Sequence, residues 1–168
     1  MNATIRVAGI VKESIVDGPG IRLVVFAQGC KHHCAGCHNP ETHSFEGGEL
    51  MSVEEILEQV KKNPLLDGVT FSGGDPFEQA DSFAILGEKV KALGLNVMTY
   101  TGYTYEKIID GIKTNSQWKS LLYTTDILVD GKFDLNKKSL ALKFRGSSNQ
   151  RIIDVKKSLK LNQIILVV

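Results

Sequence analysis

Residues 21–37 read IRLVVFAQGCKHHCAGC, where an apolar, β-branched run of strand length leads directly into three cysteines. Ile21 to Gln28 has the length and composition of a buried strand, and the glycine after it favours a turn. Cys30, Cys34 and Cys37 follow with the spacing C-x3-C-x2-C and are the only cysteines of the chain. A strand therefore delivers the chain to one short loop that carries all of its thiols.

The cysteine loop favours a bound iron–sulfur cluster over its alternatives. Three thiolates can hold three irons of a cubane [4Fe-4S] cluster and leave the fourth iron open to a small molecule that reacts there. A zinc site with His38 as fourth ligand is the main alternative. Structural zinc sites usually join separated pairs of ligands, however, and this one would connect almost nothing. A reactive dithiol explains two cysteines and not the third.

The composition predicts one domain, 1–168, without a nucleic-acid or membrane partner. The chain of 168 residues is long enough for a substantial core, and 20 Lys+Arg against 19 Asp+Glu give a net charge of +1. The first residues lack the apolar segment of a signal peptide, and the longest apolar run, residues 164–168, is too short to span a bilayer. Clustered metal-binding thiols are typical of reducing compartments, so we expect a cytoplasmic protein.

Strand and helix signals alternate along the chain and predict an α/β fold. Strands are expected at residues 21–28, 68–72, 95–101 and 126–130, with one or two more at 152–155 and 163–168. Ser52 opens a capping box before one helix, and a short helix is expected at 104–109. Between them, Asp75-Pro76 opens a helix that turns Leu93 inward and stops at Gly94. This alternation implies right-handed crossovers and a mainly parallel sheet. A complete barrel needs ~250 residues, so we expect a partial, incomplete β/α barrel.

Three candidate motifs follow predicted strands and should lie at one edge of the sheet. They are the cysteine loop, Gly73-Gly74-Asp75-Pro76 and Asp130-Gly131-Lys132. The carboxyl ends of parallel strands are where α/β folds bind their ligands. The diglycine permits close approach of the backbone to a ligand, while Asp75 is either a helix N-cap or an anion facing a ligand ammonium group.

Other polar residues have weaker interpretations. Asp130 and Lys132 belong either to an ordinary turn or to a ligand site. The stretch FRGSSNQR, from Phe144 to Arg151, is a solvated turn or a loop that binds a carboxylate or phosphate through Arg145 and Arg151. His32 and His33 are expected to be exposed loop residues.

Five segments together resemble the radical S-adenosylmethionine (SAM) superfamily and, within it, the activating proteins of anaerobic ribonucleoside-triphosphate reductase. They are VDGPGIRLVVFAQGC (16–30), CAGCHNPET (34–42), FSGGDP (71–76), VDGKF (129–133) and FRGSSNQR (144–151). The resemblance runs from about residue 15 to residue 151. It implies the partial barrel of radical SAM proteins and an activase that generates a glycyl radical.

The resemblance implies that Cys30, Cys34 and Cys37 ligate a [4Fe-4S] cluster whose open iron binds the amino and carboxylate groups of SAM. One electron from the reduced cluster would cleave SAM to methionine and a 5′-deoxyadenosyl radical, which would take a hydrogen atom from a glycine of the reductase large subunit. The cofactors perform this chemistry, and the protein supplies position and exclusion of side reactions. With three cysteines and one cluster, the chain would depend on an external low-potential electron donor, a flavodoxin or ferredoxin.

The same resemblance assigns roles around the cofactor. Gly73, Gly74 and Asp75 match the segment that contacts the SAM amino group, with aspartate where the superfamily usually has glutamate. Many relatives carry an aromatic residue before the last cysteine, and this chain has Gly36. The backbone of the segment Gly36, Cys37 and His38 would therefore meet the adenine.

Two further assignments concern the turn after the last parallel strand. The resemblance implies that Lys132 pairs with the SAM carboxylate and that Asp130 lies near it. Two alternatives to the reductase activase remain open. One is an activase or small radical SAM enzyme for another substrate, and the other is a non-catalytic zinc-binding interaction module.

Overall fold

The computed structural model describes residues 3–32 and 43–167, which are organised by one sheet. The strands are β1 Thr4–Ser14, β2 Arg22–Ala27, β3 Glu49–Ser52, β4 Gly68–Gly73, β5 Asn96–Tyr100, β6 Ile127–Asp130 and β7 Arg151–Asp154. Their order across the sheet is β3-β1-β2-β4-β5-β6-β7. Because β3 and β7 stand at opposite ends of this order, the sheet is open over the described residues.

The four central strands are parallel, and both flanks of the sheet are antiparallel. β2, β4, β5 and β6 lie side by side, with Ala27 opposite Gly73 where the β2–β4 pair ends. β1 pairs antiparallel with β2 and β3, and β7 pairs antiparallel with β6. The α/β fold with a parallel central sheet and an incomplete barrel is thereby confirmed.

Helices follow several of the strands, and most of them begin at a polar N-cap side chain. The α-helices are α1 Val53–Lys61, α2 Ala80–Ala92, α3 Tyr105–Gly111, α4 Ser116–Thr124 and α5 Val155–Leu161. Short 3-10 helices cover Pro76–Gln79 and Leu135–Lys137. The Ser52 hydroxyl accepts a hydrogen bond from the Glu55 N–H at 3.1 Å, so the predicted capping box starts α1.

Alternate strand residues serve two different faces of the sheet, as a period of two requires. One face packs against the helices and forms the apolar core, with Leu23, Val25, Val69, Phe71, Val97 and Leu128 among its members. The other set includes Phe26, Ser72 and Tyr100, which line a cavity. The sheet thus separates a core on the helix side from a site on the opposite side.

The differences from the predicted elements concern the flanking strands and some of the helices. β1, β3, α4 and α5 were not predicted from the sequence. Leu93 was expected to point inward, but α2 ends at Ala92 and Leu93 is 44% exposed, so this prediction was wrong. The predicted tail strands are represented by β7 and by an isolated bridge between Ile153 and Leu166.

Candidate functional site

A cavity of about 650 Å³ opens at the carboxyl ends of the parallel strands. Its wall contains the ends of several strands and the turns that follow them, including Cys30, Ser72, Gly73, Gly74, Thr101 and Gly131. The three motifs that were expected at one edge of the sheet therefore each contribute to one cavity.

Cys30 lies in the cavity wall at the point where β2 gives way to the cysteine loop. Its residue is 7% exposed, and its N–H donates to the His43 carbonyl at 3.1 Å. The Gln28 side-chain amide donates to the Ser44 carbonyl at 2.6 Å. The residues on either side of the cysteine loop, 28–30 and 43–44, therefore lie next to each other. The remaining predicted residues of this loop lie outside the described residues: His33, Cys34, Gly36, Cys37 and His38.

The diglycine brings β4 into close contact with β2 beside the cavity. Gly73 has φ +90°, and a Cβ there would lie 2.5 Å from the Ala27 nitrogen. The Gly74 N–H donates to the Ala27 carbonyl at 2.7 Å. A backbone stretch without side chains therefore borders the cavity, which allows polar ligand atoms to approach its peptide groups.

Asp75 is completely buried and accepts hydrogen bonds from several elements. Its Oδ1 accepts from the Phe77 N–H at 3.0 Å, which confirms the predicted N-cap role. Its Oδ2 accepts from the Gly102 N–H at 3.0 Å, and the Thr101 hydroxyl donates to the same carboxylate. The carboxylate thus joins the turn after β4 to the turn after β5.

His32 is part of this network, so its predicted exposure was wrong. Its side chain is 6% exposed, and Nε2 lies 2.7 Å from Oδ2 of Asp75. The ring also meets the Tyr103 ring edge-on, with centroids 4.6 Å apart. Sequence reasoning missed this residue because a histidine in a polar loop carries no local signal of burial.

Asp130 is 1% exposed and binds groups of the protein itself. Its carboxylate accepts from the Tyr105 N–H at 2.8 Å and from the Arg151 Nε at 3.1 Å. Arg151 also pairs with Glu106. Hydrogen bonding to these two carboxylates raises the pKa of Arg151, and the Arg151 hydrogen bond lowers the pKa of Glu106. The strand end, α3 and β7 are thereby held together.

Lys132 is exposed and borders a second cavity of about 780 Å³ rather than the first. His32, Gly102 and Gly131 line both cavities, so the two spaces adjoin. The ammonium group of Lys132 thus belongs to the outer side of the turn whose glycine faces the first cavity.

The FRGSSNQR stretch is an ordered turn fastened to the same strand end. Arg145 donates to the Gln150 carbonyl at 2.7 Å, and the Gln150 amide donates to the Gly131 carbonyl at 3.0 Å. Asn149 donates to the Lys132 carbonyl at 2.8 Å. Phe144, Arg145, Gly146 and Gln150 line the first cavity. The turn therefore forms a side of the site.

A buried arginine, also missed from the sequence, shapes the opposite side. Arg22 donates to the Thr70 hydroxyl at 2.7 Å and to the Pro19 carbonyl at 3.0 Å, and the Thr70 hydroxyl donates to the Asp17 carbonyl. Burial lowers the pKa of Arg22 to about 10. The loop held in this way places Val16 and Asp17 in the cavity wall. A lone charge within the apolar run IRLVVF was the available signal.

Tyr100 closes the cavity between these two sides. Its hydroxyl donates to the Phe144 carbonyl at 2.6 Å. Burial is the main cause of its raised pKa, and the charge of Asp17 adds to it. The phenol is therefore a neutral hydrogen-bond donor at ordinary pH, and its ring lies in the cavity wall.

The donors around the cavity fit a cluster that also binds one small molecule. A buried thiol and a stretch of backbone without side chains border the same space. Over residues 3–32 and 43–167, no three His, Cys, Asp or Glu side chains are grouped closely enough to hold a metal ion. The further thiols of such a donor set would be Cys34 and Cys37. In the same residue ranges, no helix is long and apolar enough to cross a membrane.

Known proteins similar to this chain agree with the chemistry of the site. Residues 16–153 match the family described as 4Fe-4S single cluster domain. An anaerobic ribonucleoside-triphosphate reductase-activating protein of Vibrio cholerae is 36% identical over 146 residues, which cover 82% of this chain and 90% of the relative. The protein of that name from phage T4 is 35% identical over 144 residues, covering 82% and 86%. A pyruvate formate-lyase-activating enzyme of Clostridium pasteurianum is 40% identical over 106 residues, covering 60% and 44%.

Proposed function

We propose that this chain, which belongs to the family of anaerobic ribonucleoside-triphosphate reductase-activating proteins and contains a 4Fe-4S single cluster domain, activates such a reductase by generating a glycyl radical on its large subunit. When bound, the cluster and SAM supply the one-electron chemistry that creates this radical. The observation that carries the proposal is that Cys30 and the Gly73-Gly74 backbone line one cavity.

Each motif has a binding task in this proposal. Cys30, Cys34 and Cys37 hold the cluster as thiolates. The backbone of Gly73 and Gly74 binds the amino group of SAM, because peptide groups without neighbouring side chains can approach an ammonium closely. The carboxylate behind them, fixed by its buried hydrogen bonds, adds negative charge to that wall.

The adenine and the carboxylate of SAM are assigned to other groups of the chain. The backbone of Gly36, Cys37 and His38 meets the adenine, and Lys132 pairs with the SAM carboxylate from the adjoining cavity. Asp130 supports the turn that presents this lysine, since its carboxylate anchors the end of β6 to α3 and β7.

Two partners are required outside the chain. One is the reductase large subunit, which provides the glycine. The other is an external low-potential donor, a flavodoxin or ferredoxin, because the three cysteines suffice for one cluster only. We place this system in the cytoplasm, where thiols stay reduced.

Anaerobic reconstitution tests the proposal directly. The purified chain should take up about four irons and, with SAM and a reductant, produce 5′-deoxyadenosine. With the reductase large subunit it should also give the electron paramagnetic resonance (EPR) doublet of a glycyl radical. Cys34→Ser should abolish both products, whereas Lys113→Ala, at a solvent-exposed ion pair, should retain them. A reconstituted chain that cleaves no SAM would contradict the proposal.

The similarity to a pyruvate formate-lyase-activating enzyme supports a second candidate, an activase for another glycyl-radical protein. Presenting the reductase and a formate lyase in parallel distinguishes the two, because the radical should form on one partner only. Metal analysis after anaerobic purification also tests the zinc-binding module. About one zinc per chain without iron or sulfide would support that alternative.

A further inference from the structure

The geometry points to His32 as a positioning residue that fastens the cysteine loop to the diglycine turn, an inference that rests on the proposed function. His32 stands between Cys30 and Cys34 in the sequence, and its Nε2 lies 2.7 Å from Oδ2 of Asp75. Both side chains are withdrawn from solvent, at 6% and 0% exposure. A buried side-chain hydrogen bond therefore joins the segment that carries the thiols to the residue that follows Gly74.

Asp75 can act as a fixed anchor because it is held independently of His32. Its carboxylate accepts from the Phe77 and Gly102 N–H groups, and its own N–H donates to the Gly29 carbonyl at 2.9 Å. Because the carboxylate already accepts from these N–H groups and from the Thr101 hydroxyl, we assign the donor role to the His32 Nε2–H. A hydrogen bond to a charged acceptor is among the stronger ones in proteins.

The imidazole also fills a slot that matches its shape. The Tyr103 ring meets it at 76°, and a Cβ on Gly102 would lie 2.4 Å from the imidazole Cδ2. Lys31, the neighbour of His32, has a side chain that is 69% exposed and pairs with the largely buried Glu78 at 3.3 Å. Of Lys31 and His32, which follow Cys30 in the loop, His32 is therefore the one whose side chain is buried and bonded to Asp75.

The consequence of this contact is a coupling between the two halves of the site. With His32 in place, the start of the cysteine loop and the diglycine turn hold one relative position beside the first cavity. Without it, the start of the loop keeps its backbone hydrogen bonds at Gly29 and Cys30 but loses its side-chain attachment to the Asp75 carboxylate. We expect the thiols to retain iron less firmly and the site to bind SAM more weakly.

Three single variants of the full chain, reconstituted anaerobically, test this role. His32→Ala removes the donor, His32→Gln offers an amide N–H in its place, and Lys31→Ala is the matched control. The readouts are the rate of iron loss to a chelator, the SAM dissociation constant from equilibrium dialysis, and the SAM-induced change in the EPR spectrum of the reduced cluster. His32→Ala should accelerate iron loss and weaken SAM binding, each about tenfold. His32→Gln should recover part of both losses, and Lys31→Ala should match the unaltered chain.

A double-mutant cycle with Asp75→Asn shows whether the effect passes through the carboxylate. The combined variant should be no worse than the more damaged single variant. The inference is overturned if the losses add fully. It is equally overturned if His32→Ala lowers only the melting temperature of the apo chain while iron retention and SAM affinity match Lys31→Ala. If His32→Ala does not fold, His32→Gln against Lys31→Ala carries the same comparison.

The proposed function can fail separately. An unaltered chain that binds iron and SAM but forms no glycyl radical on the reductase would defeat the proposed function and leave the His32 comparison intact.

Discussion

Replacing Gly73 with alanine should damage both stability and SAM binding, for a reason specific to its surroundings. Gly73 ends β4 at φ +90°, where a Cβ would lie 2.5 Å from the nitrogen and 2.7 Å from the carbonyl oxygen of Ala27. These are backbone atoms of the adjacent strand and cannot rotate away. Gly94 is the matched control, because its φ is +85° and nothing lies within 4 Å of its Cβ position.

The two variants separate backbone strain from steric conflict. An alanine at positive φ costs about 1–2 kcal/mol, of which the lower entropy of the unfolded chain returns about 0.4–1 kcal/mol. Gly94→Ala should therefore lose only about 0.5–1 kcal/mol. Gly73→Ala must also displace β2, which adds about 1–3 kcal/mol as in other overpacked sites. Its total of about 2–4 kcal/mol corresponds to a melting temperature lowered by roughly 5–15 °C.

Thermal unfolding of the apo chains and SAM dialysis of the reconstituted chains measure both effects. Gly73→Ala should weaken SAM binding at least tenfold, because the displaced strand carries Cys30 at its end. Gly94→Ala should bind SAM as the unaltered chain does. Equal losses of stability in the two variants, or unchanged SAM affinity in Gly73→Ala, would refute the reasoning.

Three further perturbations test other parts of the site. Arg151→Ala leaves Asp130 buried without its guanidinium partner and should lower the free energy of unfolding, measured in urea, by about 2–3 kcal/mol. This is below the ~3–5 kcal/mol of fully buried pairs because Arg151 is 31% exposed. Lys113→Ala should change stability by less than ~0.5 kcal/mol, and equal effects of the two substitutions would contradict the argument. The pKa of Tyr100 is raised in the folded chain, so its phenol stays protonated at a pH above 10.0, where the tyrosines of the unfolded chain ionise. Stability should therefore fall as pH rises above that value, and Tyr100→Phe should flatten the fall in denaturation curves; an unchanged slope would count against it. Lys132→Ala should weaken SAM binding under anaerobic conditions, and unchanged affinity would show that its assignment to the carboxylate is wrong.

The parallel centre of the fold and the edge that carries the site could be predicted because their signals are local. An apolar run before the cysteines, a diglycine after GVTFS and a capping box at Ser52 each lie within a few residues of the element that they define. The N-cap role of Asp75 was predictable for the same reason. These signals sufficed to bring Cys30 and the diglycine to one cavity.

The parts that were missed depend on contacts between distant segments. β1 and β3 are held by antiparallel pairing with each other, and β1 reads TIRVAGIVKES, without the continuous apolar run of a central strand. α4 is a short helix whose Trp118 Nε1–H donates to the Phe77 carbonyl at 3.0 Å, a contact between residues 41 positions apart. The approach of His32 to Asp75 joins residues that are 43 positions apart in the sequence. No local pattern indicates such a contact.

The two residues that sequence reasoning missed at the site share a physical property. Arg22 and His32 have buried polar side chains, and each bonds to a segment other than its own element. Burying such groups is unfavourable unless their hydrogen bonds are satisfied, so each side chain needs hydrogen-bond partners in the segment that it orders. Arg22 orders the loop that contains Asp17, and His32 orders the start of the cysteine loop. The apolar core therefore fixes the strands, while buried polar contacts fix the loops on which the chemistry depends. Substituting either residue should accordingly weaken ligand binding, although neither side chain is assigned to the cluster or to SAM.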